Sequence, residues 1–216
     1  MSVDGKSKFR LVFRVFHHLE ARPFGCELPP MFLRIEFALV EQRLAADERG
    51  GLPLVEADFK AELPVTGGYD TGGIVGFSID TDSTDGDNRI TACRVSDGTV
   101  TGGDNAGGIV GYNVYYSYIT SCYTTAGVSG GSSTGAFVGF NNSATITAGY
   151  WLTDTQANGV ELDTGSSNVT KVEGGVTWKT ATDAMNAAIP TDGSCPYRFV
   201  QSDGENNPPV LESTGE

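Results

Sequence analysis

Histidine is almost missing from this chain: His17 and His18 are the only two in 216 residues. No H-E-x-x-H run exists, so the helical zinc-peptidase signature is absent. A serine or cysteine nucleophile needs an imidazole base, and residues 65–216 offer none. Cysteine is scarce as well. Cys26, Cys93, Cys122 and Cys195 form no C-x-x-C pair, which argues against a zinc site or a redox dithiol. Basic residues are few, with 14 Lys+Arg against 27 Asp+Glu and a net charge of −13. The imbalance is uneven: residues 1–64 carry 9 basic and 10 acidic side chains, and residues 65–216 carry 5 and 17. Such a surface repels phosphate backbones and anionic lipid, so no nucleic-acid partner is expected.

Long apolar runs are also lacking. A membrane helix needs roughly 18–20 apolar residues, and the run Met31–Leu44 is interrupted by Arg34, Glu36 and Glu41. No transmembrane segment is therefore expected. The N-terminus does not show a basic start, an apolar core and a small-residue cleavage site in order; a secreted protein without its leader would look the same. No feature sets the oligomeric state.

Glycine, in contrast, is abundant at 29 residues, and much of it sits in a unit written three times. Val65-Thr-Gly-Gly-Tyr-Asp-Thr-Gly-Gly-Ile-Val-Gly-Phe77 returns as Val100–Tyr112 and as Val128–Phe140, with six columns identical and the last always aromatic. Each copy leads, after a variable stretch, into a second short motif: Ile90-Thr-Ala-Cys93-Arg, Ile119-Thr-Ser-Cys122-Tyr and Ile146-Thr-Ala-Gly149-Tyr. The unit length is 35 positions from Val65 to Val100 and 28 from Val100 to Val128; the excess lies in the loop Ser78–Asn88. Three short β segments per unit, with Gly, Asn and Asp between them, suit one coil of a parallel β-solenoid in which like residues form columns. Gly72, Gly76, Gly107, Gly111, Gly135 and Gly139 are the structural glycines of the repeat. Ile74 and Val75 would face opposite sides of a regular strand. Ile90 and Cys93 both face inward only if a bend or bulge lies between them.

The expected organisation is mainly β. Residues 1–64 form a non-repeat segment, with a strand over Lys8–His17 and a helix from about Phe32 to Ala46, and serve as a cap or a separate small unit. Residues 65–151 form about three coils of a short parallel β-helix. Residues 152–216 form a C-terminal cap of irregular strands, one short helix over Thr180–Ile189 stopped by Pro190, and closing strands at Tyr197–Val200 and Pro209–Leu211.

The combination of Gly-Gly-Ile-Val-Gly-aromatic with Ile-Thr-Ser-Cys-Tyr and Gly-Val-Ser-Gly resembles the GLUG repeat. That resemblance covers Val65 to about Trp151, and the tail, with Ala184-Met-Asn-Ala, Tyr197-Arg-Phe and Pro208-Pro-Val-Leu, is also similar to the ends of GLUG-containing proteins. The third copy departs from the pattern, with Ala136-Phe137 replacing Gly-Ile and Gly149 replacing the cysteine. The resemblance implies an extracellular or cell-surface bacterial β-solenoid, adhesin-like and non-enzymatic, that presents loops to a glycan or to a host or bacterial surface protein. The peptidase activity of some GLUG-containing proteins has no counterpart here. Two other classes stay open: a polysaccharide-active β-helix enzyme, because carboxylates are plentiful, and a calcium-stabilised carbohydrate-binding module.

Three groups of residues are candidates for chemistry. Tyr112, Tyr115, Tyr116, Tyr118 and Tyr123 cluster around the second unit, where an aromatic row would stack on sugar rings or dock a protein. Asp80, Asp82, Asp85 and Asp87 make the densest carboxylate run; it suggests calcium as a cofactor, but misses the EF-hand spacing by one residue. Cys93 and Cys122 hold equivalent places in adjacent units, either as a buried ladder of thiols, favoured by the parallel course of the side chains, or as a disulfide. Asn141 and Asn168 open glycosylation sequons.

Overall fold

A computed structural model describes residues 64–80 and 88–214. The strand at Lys8–His17, the helix at Phe32–Ala46 and the acids Asp82, Asp85 and Asp87 lie outside the described residues.

Every repeat is cut into short strands by its glycines and polar turns. The first holds β1 (Val65–Thr66), β2 (Asp70–Gly72), β3 (Val75–Asp80), β4 (Arg89–Thr91) and β5 (Arg94–Val95). The second holds β6 (Thr99–Thr101), β7 (Asn105–Gly107), β8 (Val110–Tyr115) and β9 (Tyr118–Thr124). The third holds β10 (Gly127–Ser129), β11 (Ser133–Gly135), β12 (Val138–Asn142) and β13 (Thr145–Trp151). After them come β14 (Val160–Asp163), β15 (Ser166–Lys171), helix α1 (Trp178–Ala188), β16 (Tyr197–Val200) and β17 (Val210–Ser213).

The chain is mainly β, and its repeats meet through parallel sheets. These run β1-β6-β10, β2-β7-β11, β3-β8-β12-β14 and β4-β9-β13-β15, with β5 also on β9. Columns of the sequence alignment are rungs of the structure. Val65 pairs with Val100 and Val100 with Val128. Val75, Val110, Val138 and Val160 follow one another in the same way, and so do Phe77, Tyr112, Phe140 and Leu162. The aligned apolar residues close into one core that contains Ile90, Cys93, Val100, Ile109, Val110, Ile119, Cys122, Phe137, Val138 and Ile146.

Two details of the repeat resolve in physical terms. Ile and Val of the Ile-Val pair do not take opposite sides: Ile109, Val110, Phe137 and Val138 are all fully buried. The strand begins at the valine, so the residue before it sits in the turn, where two-residue alternation has no force. Ile90 and Cys93 are both buried, as are Ile119 and Cys122. Between them the backbone turns left-handed, at Ala92 (φ 52), Ser121 (φ 55) and Ala148 (φ 52). This is the bend the spacing demanded, repeated at one column without a glycine.

On the opposite face of the β4-β9-β13-β15 sheet a second core forms. Ala92, Tyr123, Ala148 and Val172 pack there against Trp178, Ala181, Met185 and Ile189 of α1 and its surroundings, with Cys195, Phe199 and Leu211. Ser121 Oγ donates to the Met185 carbonyl at 2.7 Å. The helix starts before Thr180 because Thr177 is its cap: the Thr177 side chain accepts from Thr180 N–H, and Thr180 Oγ1 accepts from Thr177 N–H. Helix α1 lies on the flank of the β4-β9-β13-β15 sheet, against β9 and β13, in an apolar cluster that also takes in Ala92 of the first layer and Val172 just after β15. The hairpin β16–β17 is antiparallel, and the Pro209 carbonyl just before β17 accepts from Tyr123 Oη at 2.6 Å and from Arg94 Nη1 at 3.4 Å.

The far edge is covered by chain that has lost the repeat signature. Ala136 N–H donates to Asn158 O and Phe137 N–H to Gly159 O, both at 2.8 Å. Val128 N–H donates to Thr155 Oγ1, and its carbonyl accepts from Gln156, both at 2.9 Å. With β14 and β15 this makes a fourth layer on two sheets, so β12 and β13 of the third repeat are paired although the sequence no longer matches. At the other end Val65, Ile74 and Val75 are only half-buried.

Candidate functional site

The sheets β3-β8-β12-β14 and β4-β9-β13-β15 are joined at one corner, where each layer turns from the first sheet into the second. An asparagine ladder lines the inside of this corner. Ser78, Asn113, Asn141 and Asp163 are in register. Asn113 Nδ2 donates to Asn141 Oδ1 at 2.9 Å, and Asn141 Nδ2 donates onward to Asp163 Oδ1, Ser167 Oγ and Ala144 O. At the first layer Asn88 Nδ2 donates to Ser78 Oγ (3.2 Å) and Ser117 Oγ (3.0 Å). These amides fix the turns on which the outer residues sit. Asn141 is wholly buried in the ladder, so of the two sequons only Asn168 faces outward.

The ladder ends on an unpaired group. Asn113 Oδ1 is buried and has no hydrogen-bond partner. Its amide nitrogen points to Asn141, so its oxygen turns toward the first layer, where the register offers Ser78, too short to reach it. Ser78→Asn is expected to extend the ladder by one rung and raise stability by about 1 kcal/mol, since a buried unmet acceptor costs about that or more. A urea titration checks the sign; a lower midpoint would mean that the oxygen is already satisfied in solution.

On the outside of the corner the five tyrosines separate. Tyr115 ends β8, Tyr116 follows in the turn to β9, and they are 48% and 46% exposed. Tyr115 holds φ 55, a left-handed conformation that a bulky side chain rarely takes. The third repeat has the small Ser143 (φ 54) at the matching turn. Asp80 lies in register with Tyr115, and Tyr118 N–H donates to Asn88 O at 2.9 Å. The described ends of the acidic loop thus flank the tyrosine turn. Arg89 stacks over the Tyr118 ring, 4.9 Å from its centroid.

Tyr112 belongs to a different surface. It packs face to face on Phe140 (4.8 Å, 11°) and edge-on against Phe77 (5.4 Å, 68°), and its hydroxyl accepts from Asn142 Nδ2 at 3.3 Å. Because neighbouring rings use their faces on each other, Tyr112 has little left to offer a planar ligand. Tyr123 is fully buried against Trp178 and Phe199 on the α1 side and is a packing residue. The exposed apolar residues beside the ladder, Phe77, Ile79 and Leu162, were not singled out by sequence, although the constant aromatic at the last repeat column was the signal for the first of them. No cluster of three or more metal-binding side chains occurs among the described residues. The repeat glycines are backbone spacers: a side chain on Gly76, Gly111 or Gly139 would press into the backbone of the β2-β7-β11 sheet. Cys93 and Cys122 are buried thiols.

No helix among the described residues is long and apolar enough to cross a membrane. No family model, curated protein or solved structure matches the chain.

Proposed function

We propose that the repeat region is a short β-solenoid of the GLUG type, part of a secreted or surface-displayed bacterial protein. It acts without catalysis as an adhesin-like module whose corner turn, Tyr115–Tyr116, holds a glycan. The parallel register of the repeats and the columns of like residues support the solenoid reading. The observation that carries the binding reading is Tyr115: a strained, half-exposed aromatic kept on an ordered amide ladder where a sister turn uses serine. Strain held at an exposed side chain is a mark of function more than of packing. Exposed tyrosine faces stack on sugar rings at small entropic cost, and the flanking Asp80 supplies an acceptor for sugar hydroxyls.

The test is a glycan array combined with a reducing-end assay. Binding without release of reducing ends is expected. Release of product would overturn the non-enzymatic reading, and silence across the array while a protein ligand is captured at the same turn would overturn the glycan. The variant pair Tyr115→Gly/Tyr116→Ser is expected to abolish binding, by tenfold or more, while the melting midpoint stays level or rises, because glycine accepts positive φ without strain. A parallel fall in midpoint and binding would mean that the tyrosines serve the fold.

A further inference from the structure

Cys93 and Cys122 face each other across neighbouring layers. Thr91 pairs with Thr120 and Arg94 with Tyr123, so the residues between them are brought opposite one another. Parallel strands lie about 4.8 Å apart, inside the Cα window of about 4.4–6.8 Å for a disulfide. Both side chains enter the same core and are wholly buried. Each sulfur leans on the carbonyl two residues back, Cys93 Sγ on Thr91 O and Cys122 Sγ on Thr120 O, both at 3.3 Å. The two thiols therefore run parallel, and bond closure requires one of them to leave its carbonyl and rotate toward the other. Cys122 Sγ also reaches Ile90 O at 3.7 Å, a carbonyl of the layer that carries Cys93. The third layer has no thiol to compete, because the column continues with Gly149 under the Phe137 ring.

We infer that Cys93 and Cys122 close into a disulfide joining the first two repeats when the chain folds in oxidising surroundings. The oxidant is a small disulfide such as oxidised glutathione. One cysteine thiolate attacks it, forming a mixed disulfide and releasing one glutathione thiolate. The second cysteine thiolate attacks the protein sulfur of that mixed disulfide, forms the Cys93–Cys122 bond and releases the second. Two electrons pass to glutathione, and the two protons lost by the cysteines end on the released thiols. Timing follows from burial. In the finished core desolvation pushes the Cys122 thiol well above its ordinary range, with the neighbouring Cys93 adding to the effect, so little thiolate is present there to react. Closure belongs to the folding chain, and the closed bond is then shielded from reductants. This inference is independent of the tyrosine corner.

The experiment refolds the full chain from denaturant with oxidised and reduced glutathione, blocks remaining thiols with N-ethylmaleimide, and digests with trypsin. Cleavage after Arg89, Arg94 and Lys171 puts Cys93 in Ile90–Arg94 and Cys122 in Val95–Lys171. The expected product is these two peptides linked, lighter than their sum by two hydrogens, with a melting midpoint about 7–14 °C above that of the reduced chain. Cys122→Ala is expected to remove the redox dependence of the midpoint; the peptide map of the unaltered chain decides the matter even if that variant folds poorly. Separate maleimide-blocked peptides after oxidative refolding would overturn the inference, and so would linkage of either cysteine to Cys26 or to the Cys195 peptide Thr180–Arg198.

Discussion

Gly107→Ala is expected to prevent the repeat region from folding, or to cost it at least about 4 kcal/mol, the upper range for single substitutions. The position is fully enclosed between Gly72 and Gly135 of the adjoining layers. A methyl group there would collide with the Val110 carbonyl oxygen and come within 2.8 Å of Gly139 N and Val138 Cα. All three obstacles are backbone atoms, held on both sides by sheet hydrogen bonds, so no rotamer change relieves the contact. The far-ultraviolet spectrum and the thermal midpoint check this. The control is Gly175→Ala, where a methyl group would meet nothing within 4 Å, and its expected effect is negligible. A folded Gly107→Ala with an unchanged midpoint would mean that the repeats do not approach one another this closely.

The second large effect concerns the two departures of the third repeat, which compensate each other. Phe137 stands where the other copies have Ile74 and Ile109, and Gly149 where they have Cys93 and Cys122. A Cβ on Gly149 would lie 3.0 Å from Phe137 Cζ and 3.1 Å from its Cε1. The larger ring fills the room that the missing thiol leaves. Phe137→Ala is expected to cost about 3–5 kcal/mol, since the ring is fully buried and its cavity is walled by neighbouring layers. Gly149→Cys alone overpacks the site at about 1–3 kcal/mol. The double variant Phe137→Ile/Gly149→Cys restores the pattern of the first two repeats, and its loss is expected to be smaller than the sum of the single losses, by about 1 kcal/mol or more. Chemical denaturation of the four chains gives the coupling directly; strict additivity would refute it.

Much of this architecture was readable because a repeat alignment is also a list of rungs: the valines at 65, 100 and 128 pair as they align. The bend between Ile90 and Cys93 followed from spacing alone. What was hidden depended on chain far away in sequence. Tyr116 and Tyr123 look alike in composition, but Tyr123 lies under α1, and nothing local tells it that a helix more than fifty residues later will land there. The flanking position of α1 was missed for the same reason. The fourth layer was legible only as irregular strands, because strand pairing needs only backbone groups, and β14 keeps little of the motif beyond Val160. The asparagine ladder left a faint trace, Asn113 and Asn141 following the aromatic column, which glycosylation spacing obscured.

The flanking helix bears on how the molecule comes apart. A stack whose tiers touch only adjacent tiers can unzip from either end, with little communication along its length. Here the face carrying Ala92, Tyr123, Ala148 and Val172 is strapped beneath one rigid rod, and Arg94 of the first tier reaches Pro209 of the tail. Losing the strap would strip the second and third tiers together and open the apolar cluster that Ala92 and Val172 share with them. The described tiers are therefore expected to melt in one calorimetric transition.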